Sequence, residues 1–596
     1  MTGTLRQPRF LPTTAAEVKA LDWPELDVII VSGDTYIDSA YIGAAVIGRV
    51  LIAAGFRVAI LAQPDPQDPD EIARLGEPRL FWGVTSGSLD SMVANYTALG
   101  KPRRSDDLTP GGRNNRRPDR AAIVYSHLIR RRFKQTRPIV LGGVEASLRR
   151  ISHYDVWSET VRRSILFDAK ADLLLYGMAE QSAVNLARRL DEKGDIASLR
   201  GICYISKTIP GPQPQFAGPD IELPPHSAAK ADQAEFIRMF ASFYAHNNPY
   251  TAKRLYQRQD TRYLVHNPPD YPVDRAALDH IHELPYAREV HPFYGAKGAV
   301  GALETIRFGL ITHRGCYGEC RFCAIAVHQG RQVVSRSKAS LLREAKSMTI
   351  HPAFKGVISD AGGPTANMYA IECHRKIRKG ACQGRSCLHP DPCPKLPIDH
   401  TAQIELLRAL RRIPGIRHIF IGSGVRHDLV AADRHRGQDY LEEILSHHVS
   451  GQLKIAPEHV QAQLLDLMAK PGPASLEAFL AMFDRARRNT AKRIYLTYYF
   501  MAAYPGCRLE DMQALKHFAT SRLHVTPEQT QIFTPSPSTW ATLMYYTGLD
   551  PFAGRPIFVE RNPARKRKQK EILTWLRKNR LRTDSPPPTD RRRPAP

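Results

Sequence analysis

The chain is poor in the features that mark a membrane or secreted protein. Its most apolar stretch, SAYIGAAVIGRVLIAAGFRVAILA, is interrupted by Arg49 and Arg57. It therefore reads as a core helix followed by a strand, not the uninterrupted run of about 20 apolar residues that a bilayer demands. The first twenty residues, MTGTLRQPRFLPTTAAEVKA, hold no apolar core that could serve as a signal sequence. Nine cysteines in 596 residues argue against a disulfide framework and for metal or cluster chemistry in a reducing compartment, the cytoplasm. No G-x-x-x-x-G-K-[ST] phosphate loop occurs, and the basic, turn-rich stretch KPRRSDDLTPGGRNNRRPDR (101–120) reads as a surface loop. Acidic residues are the scarcer charge, 59 against 84 Lys and Arg, leaving a net +25. Residues 561–596 alone carry thirteen Lys or Arg and three Asp or Glu, a net +10. They read as a short amphipathic helix with a proline-rich, partly disordered end. Such a tail either binds polyanions such as nucleic acid or only solubilises the chain.

What is present is a globular composition, 43% hydrophobic and 24% charged, in a chain too long for one core. The N-terminal part alternates strands and helices. DVIIVSG (27–33), FRVAILAQ (56–63), LFWGVTSG (80–87), PIVLGGVEAS (138–147) and ADLLLYGMAE (171–180) are apolar runs ending in small residues or glycine. This pattern predicts an α/β fold with a doubly wound parallel sheet over residues 1–205, its ligand edge at the strand carboxyl ends. Residues 206–299, rich in Pro, His and Tyr, read as a linker and bridging region. From 300 to 545 the alternation returns. IRFGLIT, FKGVISD, RHIFIGS, QLKIAPE, KRIYLTYYF and TQIFTPS are six strand candidates separated by helical segments. Residues 546–596 form the basic extension.

Cys316, Cys320 and Cys323 lie in THRGCYGECRFCAIA, spaced C-x3-C-x2-C after the first of these six strands. Three thiolates can hold three irons of a [4Fe–4S] cluster and leave the fourth open to a ligand, whereas an electron-carrying cluster normally takes four. The spacing resembles the radical S-adenosylmethionine (SAM) signature, with aromatic Phe322 before the last cysteine. Longer runs, among them SGDTYIDSAYIGAAVIGRVL, GGVEASLRRISHYDVW, HELPYAREVHPFY and CLHPDPCPKL, resemble the YgiQ family of radical SAM proteins over nearly the whole chain.

The resemblance implies a cobalamin-domain-like N-terminal sheet, a partial (β/α)6 radical SAM barrel, a [4Fe–4S] cluster and SAM. It also implies an external one-electron reductant of flavodoxin or ferredoxin type, a 5′-deoxyadenosyl radical and an unidentified substrate. A non-catalytic redox sensor or a nucleic-acid-binding protein is the alternative. Carried over by position, Cys316, Cys320 and Cys323 are the cluster ligands and Phe322 the residue near adenine. Gly362 and Gly363 match a Gly-Gly-Glu turn for the SAM amino group, but Pro364 replaces the carboxylate, so a backbone carbonyl or Asn367 takes its place. Ser423 and Arg426 are candidates for ribose or the SAM carboxylate, and Lys454 and Glu458 for the cavity wall. Cys373, Cys382, Cys387 and Cys393, with His374 and His389 nearby, make a second set (373–393) suited to zinc or an auxiliary iron–sulfur cluster. Cys203 and Cys507 stand alone and read as packing residues. The D-x-H-x-x-G motif is missing, since Asp34 is followed by Thr, Tyr, Ile and Asp38. Cobalamin is therefore held unlikely, and the N-terminal domain is taken to position substrate.

Overall fold

The computed structural model describes residues 7–583 except Ala217 and Gln383, with side chains described through Thr574. The proline-rich end of the expected tail, 584–596, lies outside the described residues.

The N-terminal half is built on a nine-stranded sheet. Its strands are β1 (Val28–Ser32), β2 (Val58–Ala62), β3 (Phe81–Thr85), β4 (Ile139–Gly142) and β5 (Leu173–Leu175). They continue with β6 (Ile202–Ser206), β7 (Ile221–Leu223), β8 (Leu255–Gln259) and β9 (Arg262–His266). The spatial order is β2-β1-β3-β4-β5-β6-β9-β8-β7. β1 and β2 are buried along their whole length, which is why they are continuous apolar runs without alternation. β1 pairs in parallel with β2 and β3, β3 with β4, and β4 with β5.

Beyond β5 the sheet is mixed, which corrects the all-parallel expectation. β6 runs antiparallel to β5 and β9, and β8–β9 is a hairpin closed by Asp260 and Thr261, with Asp260 at φ +56. Tight two-residue connections join only antiparallel strands. Residues 206–299, expected as linker and bridge, thus supply three strands of this sheet. Helix α1 (Gly43–Ala53) packs on it, and Arg49, which broke the apolar run in the sequence, is fully buried in an ion pair with Asp38.

In the C-terminal half six strand segments lie side by side in sequence order. They are β10 (Gly309–Ile311), the interrupted β11 (Val357–Ile358) with β12 (Asp360–Gly362), β13 (His418–Ile419), β14 (Gln452–Glu458), β15 (Tyr495–Ala502) and β16 (Gln529–Ile532). β10 pairs in parallel with β12, β11 with β13, β14 with β15, and β15 with β16. A parallel bridge from Val425 to Ile455 joins the third segment to the fourth.

The basic extension, expected to hold a short amphipathic helix before its proline-rich end, contains the final helix, Pro563–Thr583. Its first half is docked: Gln569 accepts from Ala503 N (2.8 Å) and donates to Cys507 O (3.1 Å), and Leu573 is 2% exposed. Lys566 Nζ donates to Tyr545 Oη at 3.0 Å. Spacings of three and four residues place these side chains on one helix face, which lies on β15 and β16.

Candidate functional site

The two halves meet at the carboxyl ends of their strands, around a cavity of about 480 Å³. One wall comes from the N-terminal sheet, through Ser32, Thr85, Gly142 and Gly177. The other comes from the second half, through His313, Gly362, Gly363, Asp360 and Ser423. The cavity reaches Ala324 and Ile325, directly after Cys323. Of the strand-end glycines, Gly33, Gly87 and Gly143 do not free backbone for a ligand. A Cβ at each would strike Ser86 O, the Asp34 carboxylate or Thr85 Oγ1 respectively, and Gly87 and Gly143 sit at φ +103 and +82. Glycine there lets neighbouring loops close on one another.

Two contacts fix the halves together beside this cavity. Arg314 Nη1 donates to Glu180 Oε1 at 2.5 Å, a buried ion pair that no sequence pattern announced. The short helix Ile325–His328, which follows the cysteine loop, packs on the helix Gly143–Leu148, and His328 Nδ1 lies 3.1 Å from Ser147 Oγ. Burial pushes His328 down to about 4 and the fully buried His313 down to about 3, so both imidazoles are neutral at physiological pH.

The cysteine loop converges on Gly318. A Cβ there would lie 2.5 Å from Arg426 Nη1, 3.3 Å from Cys316 Sγ and 3.5 Å from Cys320 Sγ. Gly318 N donates to Cys316 Sγ at 3.3 Å, and Arg426 Nη1 points at Cys320 Sγ at 3.7 Å. Burial pushes Cys316 up and Cys323 up to about 12. As free thiols they would stay protonated, and a cationic centre is what would hold them as thiolates. The donor set is all sulfur and faces a guanidinium, which suits an iron–sulfur cluster carrying net negative charge. Among the described residues no three His, Cys, Asp or Glu side chains are arranged to hold a single metal ion.

The remaining sequence candidates divide sharply. Gly362, Gly363 and Pro364 line the cavity, and a Cβ on Gly363 would meet His313 Cε1 at 2.6 Å. Ser423 also lines it, but its hydroxyl donates to the Asp360 carboxylate, which additionally accepts from Gly422 N (2.8 Å) and Ser423 N (3.2 Å). Asp360, not singled out from the sequence, is thus the carboxylate beside the Gly-Gly turn. Asn367 is fully buried and turned away from the cavity. Its Oδ1 accepts from Arg426 N at 2.8 Å and its Nδ2 donates to Arg426 O at 3.1 Å. Arg426 itself pairs with Asp428 and faces the cysteines. Phe322 meets the ring of Tyr504 edge-on, centroids 6.2 Å apart. Lys454 Nζ donates to Gly422 O at 3.0 Å. Glu458 sits at φ +69, 4.0 Å from Lys470, and burial pushes it up to about 6.

The second cysteine set is divided, three of its members lying in or against one cluster and Cys382 apart from it. Cys373 and Cys387 are buried in one apolar cluster with Tyr317, Met368 and Leu388, and Cys393 packs against it. Cys382 is approached by Arg375 Nη1 at 2.7 Å, His374 is exposed, and His389 lies 3.0 Å from Asp466. Cys203 and Cys507 are fully buried. Asp34 is held by Arg117 and Ser88 N, and Asp38 by Arg49.

TsrM, a radical SAM methyltransferase of Kitasatospora setae solved with cobalamin and a [4Fe-4S] cluster, aligns with TM-score 0.48 and 14% identity over 89% of this chain and 87% of its own. OxsB, a cobalamin-dependent SAM radical enzyme solved with aqua-cobalamin, aligns with TM-score 0.46 and 12% identity over 94% of this chain and 57% of its own. Both carry the cofactor that the missing histidine motif had counted against, and the reading of cobalamin as unlikely is withdrawn. Residues 10–309 match the Radical SAM N-terminal family. A UPF0313 protein of Fusobacterium nucleatum is 51% identical over 96% of this chain and the whole of its own length. One of Methanosarcina mazei is 44% identical over 94% of this chain and 93% of its own. The chain belongs to the UPF0313, or YgiQ, family of radical SAM proteins.

Proposed function

We propose that this protein is a radical SAM enzyme whose [4Fe–4S] cluster is held by Cys316, Cys320 and Cys323. The carrying observation is that Cys316 and Cys320 meet around Gly318, and that the residues directly after Cys323 border a cavity that continues into the N-terminal sheet. When bound and reduced, such a cluster supplies the electron that splits SAM into methionine and a 5′-deoxyadenosyl radical. The six strand segments are read as a partial (β/α)6 barrel with its ligand end at the strand carboxyl termini. Gly362, Gly363 and Pro364 offer backbone to SAM, Asp360 offers a carboxylate for its amino group, and the apolar walls exclude water from the radical. The electron comes from an external flavodoxin or ferredoxin. Anaerobic reconstitution with iron, sulfide, SAM and dithionite is expected to yield 5′-deoxyadenosine. An intact cluster signal that SAM does not perturb, with no 5′-deoxyadenosine, would sink this reading.

The reach of the cavity onto the N-terminal strand ends favours a second ligand there, and a corrinoid is the candidate. Ser32, Thr85, Gly142, Gly177 and Ala179 would hold it. When bound it supplies a cobalt centre for radical or group-transfer chemistry. The position of the motif histidine is taken by Tyr36, which is 1% exposed, stacks on His291 and donates to Asp38. This loop therefore offers cobalt no nitrogen. Retention of hydroxocobalamin through gel filtration, read by its visible absorbance, is the expected result. A colourless protein peak would remove the corrinoid and leave the SAM reading standing.

A further inference from the structure

The segment between Cys316 and Cys320 is gripped from two sides. Gly318 faces Arg426, while its neighbours Tyr317 and Glu319 both bind the cysteine-rich insertion. Cys373 N donates to Tyr317 Oη at 2.9 Å. Lys376, on the short helix His374–Lys379, is fully buried and donates to Glu319 Oε1 and to Arg331 O, each at 2.8 Å. Its Nζ lies 5.1 Å from the Tyr317 ring centroid. The same insertion places Cys373 and Cys387 in the apolar cluster against which Cys316 packs. A fully buried ammonium is costly unless paired and hydrogen-bonded. Here its carboxylate partner is the residue directly before a cluster ligand. Charge and hydrogen bonding around an iron–sulfur cluster tune its potential, and residues behind the ligands orient them.

We propose that Lys376 is a positioning residue for the cysteine loop, tying the insertion to the segment between Cys316 and Cys320. Through the charge of its pair with Glu319, it also sets how readily a cluster held there takes up an electron. The inference rests on the cluster reading above and gives the insertion a role that needs no second metal.

The test uses the full chain, reconstituted anaerobically without SAM, as wild type, Lys376→Met, Glu319→Gln and the double variant. Iron per chain, the EPR spectrum of the reduced cluster and its midpoint potential are measured. Removing the cation is expected to make the cluster harder to reduce, by about tenfold in the reduced-to-oxidised ratio, or about 59 mV for one electron. Glu319→Gln is expected to shift the potential the opposite way, and the double variant to return toward wild type. Opposed shifts of this kind would not follow from a merely structural role. If Lys376→Met fails to fold, the near-isosteric Glu319→Gln variant decides alone through its sign. Wild-type potentials in the single variants, or shifts of the same sign, overturn the inference. A wild-type chain that takes up no cluster overturns the proposed function itself, and this inference with it.

Discussion

Two groups of cysteines lie within eighty residues of one another and fold into opposite kinds of place. Cys316 and Cys320 lie against Gly318, where an added Cβ would crowd both sulfurs, with the Arg426 guanidinium facing Cys320 and Cys323 following in the same loop. Cys373, Cys387 and Cys393 share an apolar cluster, and Cys382 is turned to Arg375. Both groups look like ligand sets on spacing alone. The difference lies in the surroundings: the first group borders a cavity, while most of the second is packed among apolar side chains. Cys316, of the first group, packs against the cluster that holds Cys373 and Cys387.

Predictions that break or sharpen this contrast run from loss of the centre to no change. Cys323→Ala is expected to abolish the [4Fe–4S] signal and 5′-deoxyadenosine formation together; retained signal would remove Cys323 from the ligand set. Gly318→Ala is expected to lower retained iron severalfold, because the added methyl collides with Arg426 and crowds two sulfurs. Glu458 tests the charge around the loop. Its folded pKa, about 6, lies above its ordinary 4.5, so the folded chain binds the proton more tightly and stability falls as pH rises from about 4.5 to 6. Glu458→Gln should flatten that slope and stabilise the protein by roughly 2 kcal/mol above pH 7, measured by denaturant unfolding. On the packing side, Cys387→Ala should cost about 1–2 kcal/mol of stability through lost burial. Cys382→Ala should leave iron and zinc content unchanged, and a metal lost from that variant would restore the second site.

The strands were legible because each is an apolar run bounded by small residues, and the cysteine triplet because its ligands are local in sequence. Other assignments depended on pairings that no local pattern encodes. Asn367 looked like a ligand contact on a loop, yet both ends of its amide bracket the backbone of Arg426. Ser423 lines the cavity, with its hydroxyl already committed to Asp360. Residues 206–299 read as a linker because their prolines outnumber any apolar periodicity, and their strands are short pieces at the edge of an existing sheet. Lys376 sits in the basic run HRKIRK, whose Lys379 and Arg378 are exposed while Lys376 is fully buried. Nothing in the run distinguishes it.

The Arg314–Glu180 pair carries a consequence for how this molecule can be taken apart. The two halves look modular, yet a cut between them would leave each with one member of an ion pair buried at the junction. Within the intact chain, removing one partner alone would strand the other charge at the buried junction, at a cost of about 3–5 kcal/mol, a large share of what holds a typical domain folded. The N-terminal sheet expressed alone would lack this pairing and one wall of the cavity, and would be a poor stand-in for its behaviour in the whole chain.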